Sequence, residues 1–264
     1  MSESAAPDVV RAERISFDAM VEALGTAGDQ FVTMLRTLDP GDGPRPVPNL
    51  TWTVGETAAH MLTIVRRGTG DRRRSDSRAG LAELNEQSLA DVDTRIPAEL
   101  ATLIEAEMTR LKGLLGGITA ERATSTVVRL HAGLHTDIPS AFSYVLFDFL
   151  GHGYDITRAT GRDWDIHPAH AALDLHACLP ILGPWVKQSI LDGPNLRQAL
   201  SFPGDRDAIV VEAGGGRYRA QNESRDEVVD VAEVNPAATF LALAGRAPAA
   251  EAAAESLAEW FEPI

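Results

Sequence analysis

The sequence predicts an α+β protein, with an N-terminal up-and-down four-helix bundle followed by a smaller C-terminal α+β domain. Two observations carry this reading. Up to about Lys187 the apolar residues recur at helical spacing in long segments separated by breaker-rich loops, which is what a bundle of antiparallel helices needs. After about Gly193 the pattern changes to short β-branched segments between Gly and Asp turns, and then to two Ala-rich helical segments. The expected boundaries are a flexible tail over 1–10, the bundle over 11–190 and the second domain over 191–264.

The first helix is expected from Arg11 to Leu38, where Ile15, Met20, Leu24, Phe31, Leu35 and Leu38 form one apolar stripe that ends in a Pro- and Gly-rich run from Asp39. The second opens at Thr53-Val-Gly-Glu56, a capping-box pattern, and runs to about Gly68. An Arg-dense stretch (Arg66, Arg67, Arg72, Arg73, Arg74, Arg78) follows, interrupted by Asp71 and Asp76, and reads as a solvated connection before helical sequence from Leu81 to Ala90. The third long helix starts after Pro97, carries Leu100, Leu103, Ile104, Met108, Leu111 and Leu115, and closes at Gly116-Gly117. Residues 118–138 have no clean period and are expected to be an extended loop. A fourth helix runs from Pro139-Ser140 to about Thr160, stopped by Gly161, and a fifth from Pro168 to about Lys187. Strands are expected at Leu200–Phe202, Ala208–Glu212 and Arg217–Ala220, with helices from Pro236 and from about Pro248.

Charge excludes one class of function. The 264 residues carry 24 Lys+Arg against 38 Asp+Glu, a net charge of -14, whereas a nucleic-acid binder needs a basic face to grip phosphates. Residues 191–264 hold 6 Lys+Arg and 13 Asp+Glu, a net of -7, so the smaller region is the more acidic per residue. The single cysteine, Cys178, cannot form an intramolecular disulfide, the first residues carry acids where a secretory signal carries basic ones, and no apolar run is long enough to span a bilayer. A cytoplasmic protein without membrane or nucleic-acid partners is expected.

The fourth helix holds the most informative chemistry. Asp148 and His152 are four residues apart and project from one face, among the apolar neighbours Val145 and Ile156. A buried charged pair persists only if it is paired, neutralised or metal-bound. His60 lies in the second helix among small and apolar residues, facing inward. One His from one helix with an Asp and a His from another can supply three metal ligands in a bundle core and leave a coordination position open. The alternatives are an ordinary i, i+4 ion pair for Asp148 and His152 and a satisfied core histidine for His60. His131 and His135 share the same spacing in an irregular segment, His167 and His170 fall at an exposed helix start, and His176 and Cys178 read as core. No Gly-x-Gly-x-x-Gly, P-loop or Gly-x-Ser-x-Gly motif is present.

The segment Trp52-Thr-Val-Gly-Glu56-Thr-Ala-Ala-His60 and the segment Asp148-Phe-Leu-Gly-His152-Gly-Tyr-Asp155, with its Gly161-Arg162 end, resemble the mycothiol-dependent maleylpyruvate isomerase-like proteins. These belong to the DinB-like metal-binding four-helix superfamily. The resemblance covers most of residues 10–190, and a sterol-carrier-like α+β domain after the bundle fits the same plan. It implies a Zn-type site from His60, Asp148 and His152, with Asp155 orienting His152 from behind. It also implies mycothiol as a thiol cofactor, activated for cis/trans isomerisation or transfer to a small electrophile. An arginine of the second domain holds a substrate carboxylate in such isomerases, and Arg217 and Arg219 on a predicted strand are the candidates. Two departures stand out: Asp148 replaces the usual Glu, and no arginine precedes it within Ser143–Phe147. The expected partners are a small thiol and an electrophile, and the chain could pair as a homodimer. The rival readings are a metal enzyme that uses water in place of a thiol, and a non-catalytic module that binds a small apolar ligand.

Overall fold

The computed structural model describes residues 9–248 and 250–262. The helices expected for the first region form, with boundaries set by local chemistry. Helix α1 (Phe17–Arg36) is capped by Ser16, whose hydroxyl accepts the Ala19 N–H. Helix α2 (Val54–Thr69) starts on a closed capping box, with the Thr53 N–H donating to Glu56 Oε2 at 2.8 Å and the Glu56 N–H to Thr53 Oγ1 at 3.3 Å. After the short α3 (Arg78–Ala90) comes α4 (Pro97–Leu115), opened by Pro97 at a position where a missing N–H costs nothing.

Helix α6 (Ile138–Thr160) is the longest. Asp137 caps it through the Ser140 N–H at 2.9 Å, and Gly161 ends it in the left-handed conformation at φ +70°. Helix α1 packs on α4 and α6, and α2 packs on the same two, so four helices enclose one apolar interior built on Met20, Phe31, Leu62, Ile104 and Phe149.

Two expectations change. Residues 118–138 are not all loop: α5 (Ala120–Ser125) and a hairpin of β1 (Val128–Arg129) with β2 (His135–Thr136) occupy them. The fifth helix, α7 (Pro168–Cys178), stops well before Lys187, because Pro180 and Pro184 cannot supply the N–H groups that would continue it. The chain runs on instead in 3₁₀ turns over Leu179–Ile181 and Gly183–Trp185. The expected tail 1–10 falls largely outside the described residues. Its last part is not free, since Val9 bridges His135 and the Val10 N–H donates to the His135 carbonyl at 2.9 Å.

After the short α8 (Gln188–Leu191), the second region builds one four-stranded sheet in the order β5-β4-β3-β6, from β3 (Leu196–Ser201), β4 (Asp207–Gly214), β5 (Arg217–Ser224) and β6 (Ala232–Glu233). The β4–β5 hairpin turns on Gly215 and Gly216, at φ +57° and +77°, which a tight two-residue connection requires. Strand β6, absent from the sequence reading, pairs parallel to β3. Helix α9 (Pro236–Leu243) packs on α7, and α10 (Ala252–Ala258) packs on α9 and β3. Phe240 of α9 meets Phe147 of α6 with ring centroids 4.8 Å apart. That contact sets the turn after α9 against the middle of α6. Among the described residues no helix is long and apolar enough to cross a membrane.

Candidate metal centre

Helices α2 and α6 bring His60, Asp148 and His152 together, with one ligand-type atom from each lying within 4.8 Å of the others. His60 and His152 are 4% and 6% exposed, and their rings stand edge to face at 5.3 Å. Trp52, just ahead of the α2 cap, covers His60 at 4.7 Å and anchors its own indole N–H on Glu86 Oε1 at 2.9 Å. Nδ1 of His60 is buried with no hydrogen-bond partner, a cost of about 1–3 kcal/mol that a bound cation would offset. Burial foremost, with the charges of His152 and Arg67, holds the His60 imidazole well below its ordinary range, so at neutral pH it is the neutral form that can ligate. Burial also pushes the Asp148 carboxyl up, while His152, Arg246 and Arg67 pull it down. Two imidazoles and one carboxylate are a donor set suited to Zn²⁺ and related divalent ions.

His152 is oriented from behind. Its Nδ1 lies 3.0 Å from Asp155 Oδ2, one turn further along α6, which leaves Nε2 as the nitrogen not held by Asp155. The carboxylate that His152 contacts through Nδ1 is therefore Asp155 and not Asp148. Asp155 in turn accepts from Arg246, with Nε to Oδ1 at 3.3 Å and Nη2 to Oδ2 at 3.2 Å. Burial raises the Asp155 carboxyl, and the His152 hydrogen bond together with the Arg246 charge more than reverses this, keeping it below its ordinary value and ionised.

Arg246 sits in the turn after α9, where it also donates to the Ala244 carbonyl. Among the described residues it is the arginine of the second region that lines the cavity. Arg217 and Arg219, the candidates from the sequence, are exposed on β5 and line no part of the cavity, because the alternation of that strand sends Ala220 and Asn222 inward and the arginines out. Arg246 was missed because its position depends on how α9 docks on α7, which no local pattern encodes. The one sequence signal is a lone basic residue directly after Gly245 in an otherwise apolar, Ala-rich segment.

The three clustered residues line one wall of a cavity of about 740 Å³, bounded by α2, α4, α6 and the β1–β2 hairpin. Most of the lining is apolar, including Leu111, Leu115, Phe142 and Trp185. Its polar groups are Arg67, Arg74, Arg129, Arg246, His131, Asn85 and Tyr144 beside the cluster itself. The solvated reading of the Arg-dense stretch holds for Arg72, Arg73 and Arg78, which are exposed, and fails for Arg67, which is buried on α2 two turns beyond His60. His131 faces the same space from the hairpin, its Nδ1 accepting from the Ser75 N–H at 3.2 Å, and burial lowers its pKa to about 4. His176 hydrogen-bonds Asn222 and Asp205 between α7 and the sheet, and Cys178 is buried.

The glycines beside His152 do not end the helix. A Cβ on Gly153 would lie 2.1 Å from the Trp164 ring, so the indole packs directly against bare backbone there. A Cβ on Gly151 would meet Arg246 and Phe240 at an ordinary 3.9 Å.

No family model matches the sequence, and no curated protein matches it. Two solved structures are similar in fold. One is a mycothiol-dependent maleylpyruvate isomerase, at TM-score 0.50 and 15% identity over 90% of this chain and 93% of that one. The other is a histidine-to-alanine mutant of mycothiol-dependent maleylpyruvate isomerase, at TM-score 0.53 and 16% identity with the same coverage. The likeness is one of fold, and it spans both the helical region and the sheet.

Proposed function

We propose that this chain is a metal- and thiol-dependent enzyme, an isomerase or S-transferase acting on a small electrophile, with His60, Asp148 and His152 as ligands to a divalent metal, most simply Zn²⁺. The observation that carries the reading is the convergence of two buried imidazoles and a carboxylate, one imidazole nitrogen without a partner, on the wall of a large apolar cavity. In this reading residues 11–190 form a DinB-like bundle and residues 191–264 a sterol-carrier-like domain that closes the site from one side. The chain works in the cytoplasm, alone or as a homodimer. The fold likeness to a mycothiol-dependent isomerase makes mycothiol the thiol to test first.

A metal bound there would make a thiol acidic enough to be a nucleophile at neutral pH, able to add reversibly to a conjugated double bond or to be transferred. The chain's own residues do the rest. Asp155 fixes the ring of His152 and sets which nitrogen faces the cluster. Arg246, in place of the arginines expected on β5, neutralises Asp155 and lies at the cavity wall, where its guanidinium can meet a substrate oxygen. Trp52 lies against the rings of both His60 and His152 and holds them at the wall of the cavity.

The test is proton release when mycothiol binds the metal-loaded protein, measured by calorimetry in buffers of different ionisation enthalpy. Release of about one proton per thiol at about pH 6, where a displaced metal-bound water of pKa about 7 still carries both its protons, supports thiol activation. Binding without proton release favours a water-using enzyme, and no thiol binding with no metal favours the ligand-binding module.

A further inference from the structure

Arg67 is a buried guanidinium that feels the charges of Asp148 and Asp71 but hydrogen-bonds neither. It is 8% exposed, and its hydrogen bonds go to neutral groups, with Nη2 donating to Asn85 Oδ1 at 2.9 Å and to Ser88 Oγ at 3.3 Å. Its Nε is buried with no partner, and no acidic side chain is among its hydrogen-bond partners in the described residues. Leaving a charged group buried and unpaired is costly unless something completes it. Asp71, one of the two acids whose charge reaches Arg67, is itself paired with Arg73. Arg74, its basic neighbour at the cavity, spends its donors on the carbonyls of Asp71, Arg73 and Arg67. Arg129 is paired with Asp76 at the surface. Of the arginines from this stretch and hairpin, Arg67 is thus the buried one that keeps donor capacity for a ligand.

Its place on the helix gives the geometry. Arg67 follows His60 by seven residues on α2, about two turns and roughly 10 Å along the axis on the same face. Both line the one cavity, and the wall between and around them is Ile64, Leu111, Leu115, Phe142 and Val145. Two polar ends and an apolar middle are the negative of an amphipathic molecule.

We infer that Arg67 captures a carboxylate, and that the substrate of the proposed reaction is an amphipathic carboxylic acid whose apolar body fills the space between Arg67 and the His60–Asp148–His152 cluster. This rests on the cluster being the reacting centre, and it narrows the substrate class: a compact, polar electrophile would leave the apolar wall unused. The planar fork of a guanidinium suits a carboxylate's two oxygens, and the neutral partners Asn85 and Ser88 fix the fork without cancelling its charge.

The probe is octanoate against octanamide, which has the same length and no charge. Binding is followed through the fluorescence of Trp52 and Trp185, which line the cavity, in metal-free and metal-loaded protein. Wild type is expected to bind octanoate at least tenfold more tightly than octanamide in both forms. Arg67→Gln is expected to erase that preference with octanamide binding unchanged. Arg67→Lys, which serves if the glutamine variant does not fold, is expected to keep only part of it. Equal binding of the two probes by wild type, or full preference in either variant, overturns the inference. His60→Ala separates it from the metal reading: the preference should persist there while metal is lost. A chain that prefers octanoate yet never holds metal refutes the cluster's proposed role and leaves the Arg67 pocket standing, whereas a metal-loaded chain indifferent to charge does the reverse.

Discussion

Replacing Gly153 by alanine adds one methyl group to the centre of α6, next to His152, and its consequence can be worked from distances. The new Cβ would stand 2.1 Å from Cζ2 and 2.3 Å from Cε2 of Trp164, well inside contact distance of a rigid ring. The indole is held by its N–H to the Leu150 carbonyl at 3.0 Å and by an edge contact to Phe31 at 6.3 Å, so it cannot yield without giving up both. Overpacking of this kind costs about 1–3 kcal/mol, and the lost hydrogen bond about 1 more. Against this, alanine gains about 1 kcal/mol over glycine in a helix interior. The net expectation is a loss of about 2 kcal/mol. Gly151→Ala is the internal control, because its Cβ meets nothing closer than 3.9 Å and should keep most of the helix gain. The two variants should therefore differ by about 3 kcal/mol in urea unfolding, or roughly 6–12 °C in melting temperature for a chain of this size. If Gly153→Ala is as stable as Gly151→Ala, Trp164 does not pack as described and the explanation of the glycine fails.

Asp155→Asn removes the carboxylate that orients His152 while keeping its size, and should weaken metal affinity about 10–100-fold in chelator competition with the fold intact; unchanged affinity would contradict the orienting role. Asp174 is fully buried on α7, and burial foremost pushes its carboxyl well above the ordinary range, with Cys178 opposing and Asp148 adding. A raised acid contributes stability that is complete below the unfolded value near pH 4 and is lost as pH rises, by up to about 1.4 kcal/mol per pH unit. Asp174→Asn, which cannot ionise, should therefore gain on wild type in urea midpoint between pH 4.5 and pH 8. The same difference at both pH values would show that Asp174 is not held protonated.

Much of this was legible along the chain because it is local. The capping box at Thr53, the breaker after α1 and Gly161 behind α6 each act within a turn of the backbone, and the structure places these helix ends where those residues require. The meeting of His60 with Asp148 and His152 was legible at one remove, since each lies on the inward face of its helix and both helices border the same interior. What stayed hidden depends on longer-range packing. Strand β6 is two residues long and exists only because β3 offers it an edge. Arg246 reaches Asp155 across 91 residues of sequence through the docking of α9, while Arg217 and Arg219 are turned out by the register of β5 with β4. Arg67 read as one more charge in a basic stretch, yet its seven-residue spacing from His60 already placed it on the face that lines the cavity. The early end of α7 was legible in Pro180 and Pro184, which outweigh the apolar run around them.

Whether His60, Asp148 and His152 hold a divalent metal is read by elemental analysis of the purified protein beside His60→Ala. Close to one equivalent of zinc or another divalent ion is expected in the wild type, and little in a variant that still folds. A wild-type chain that folds, is exposed to zinc and remains metal-free would contradict the metal site.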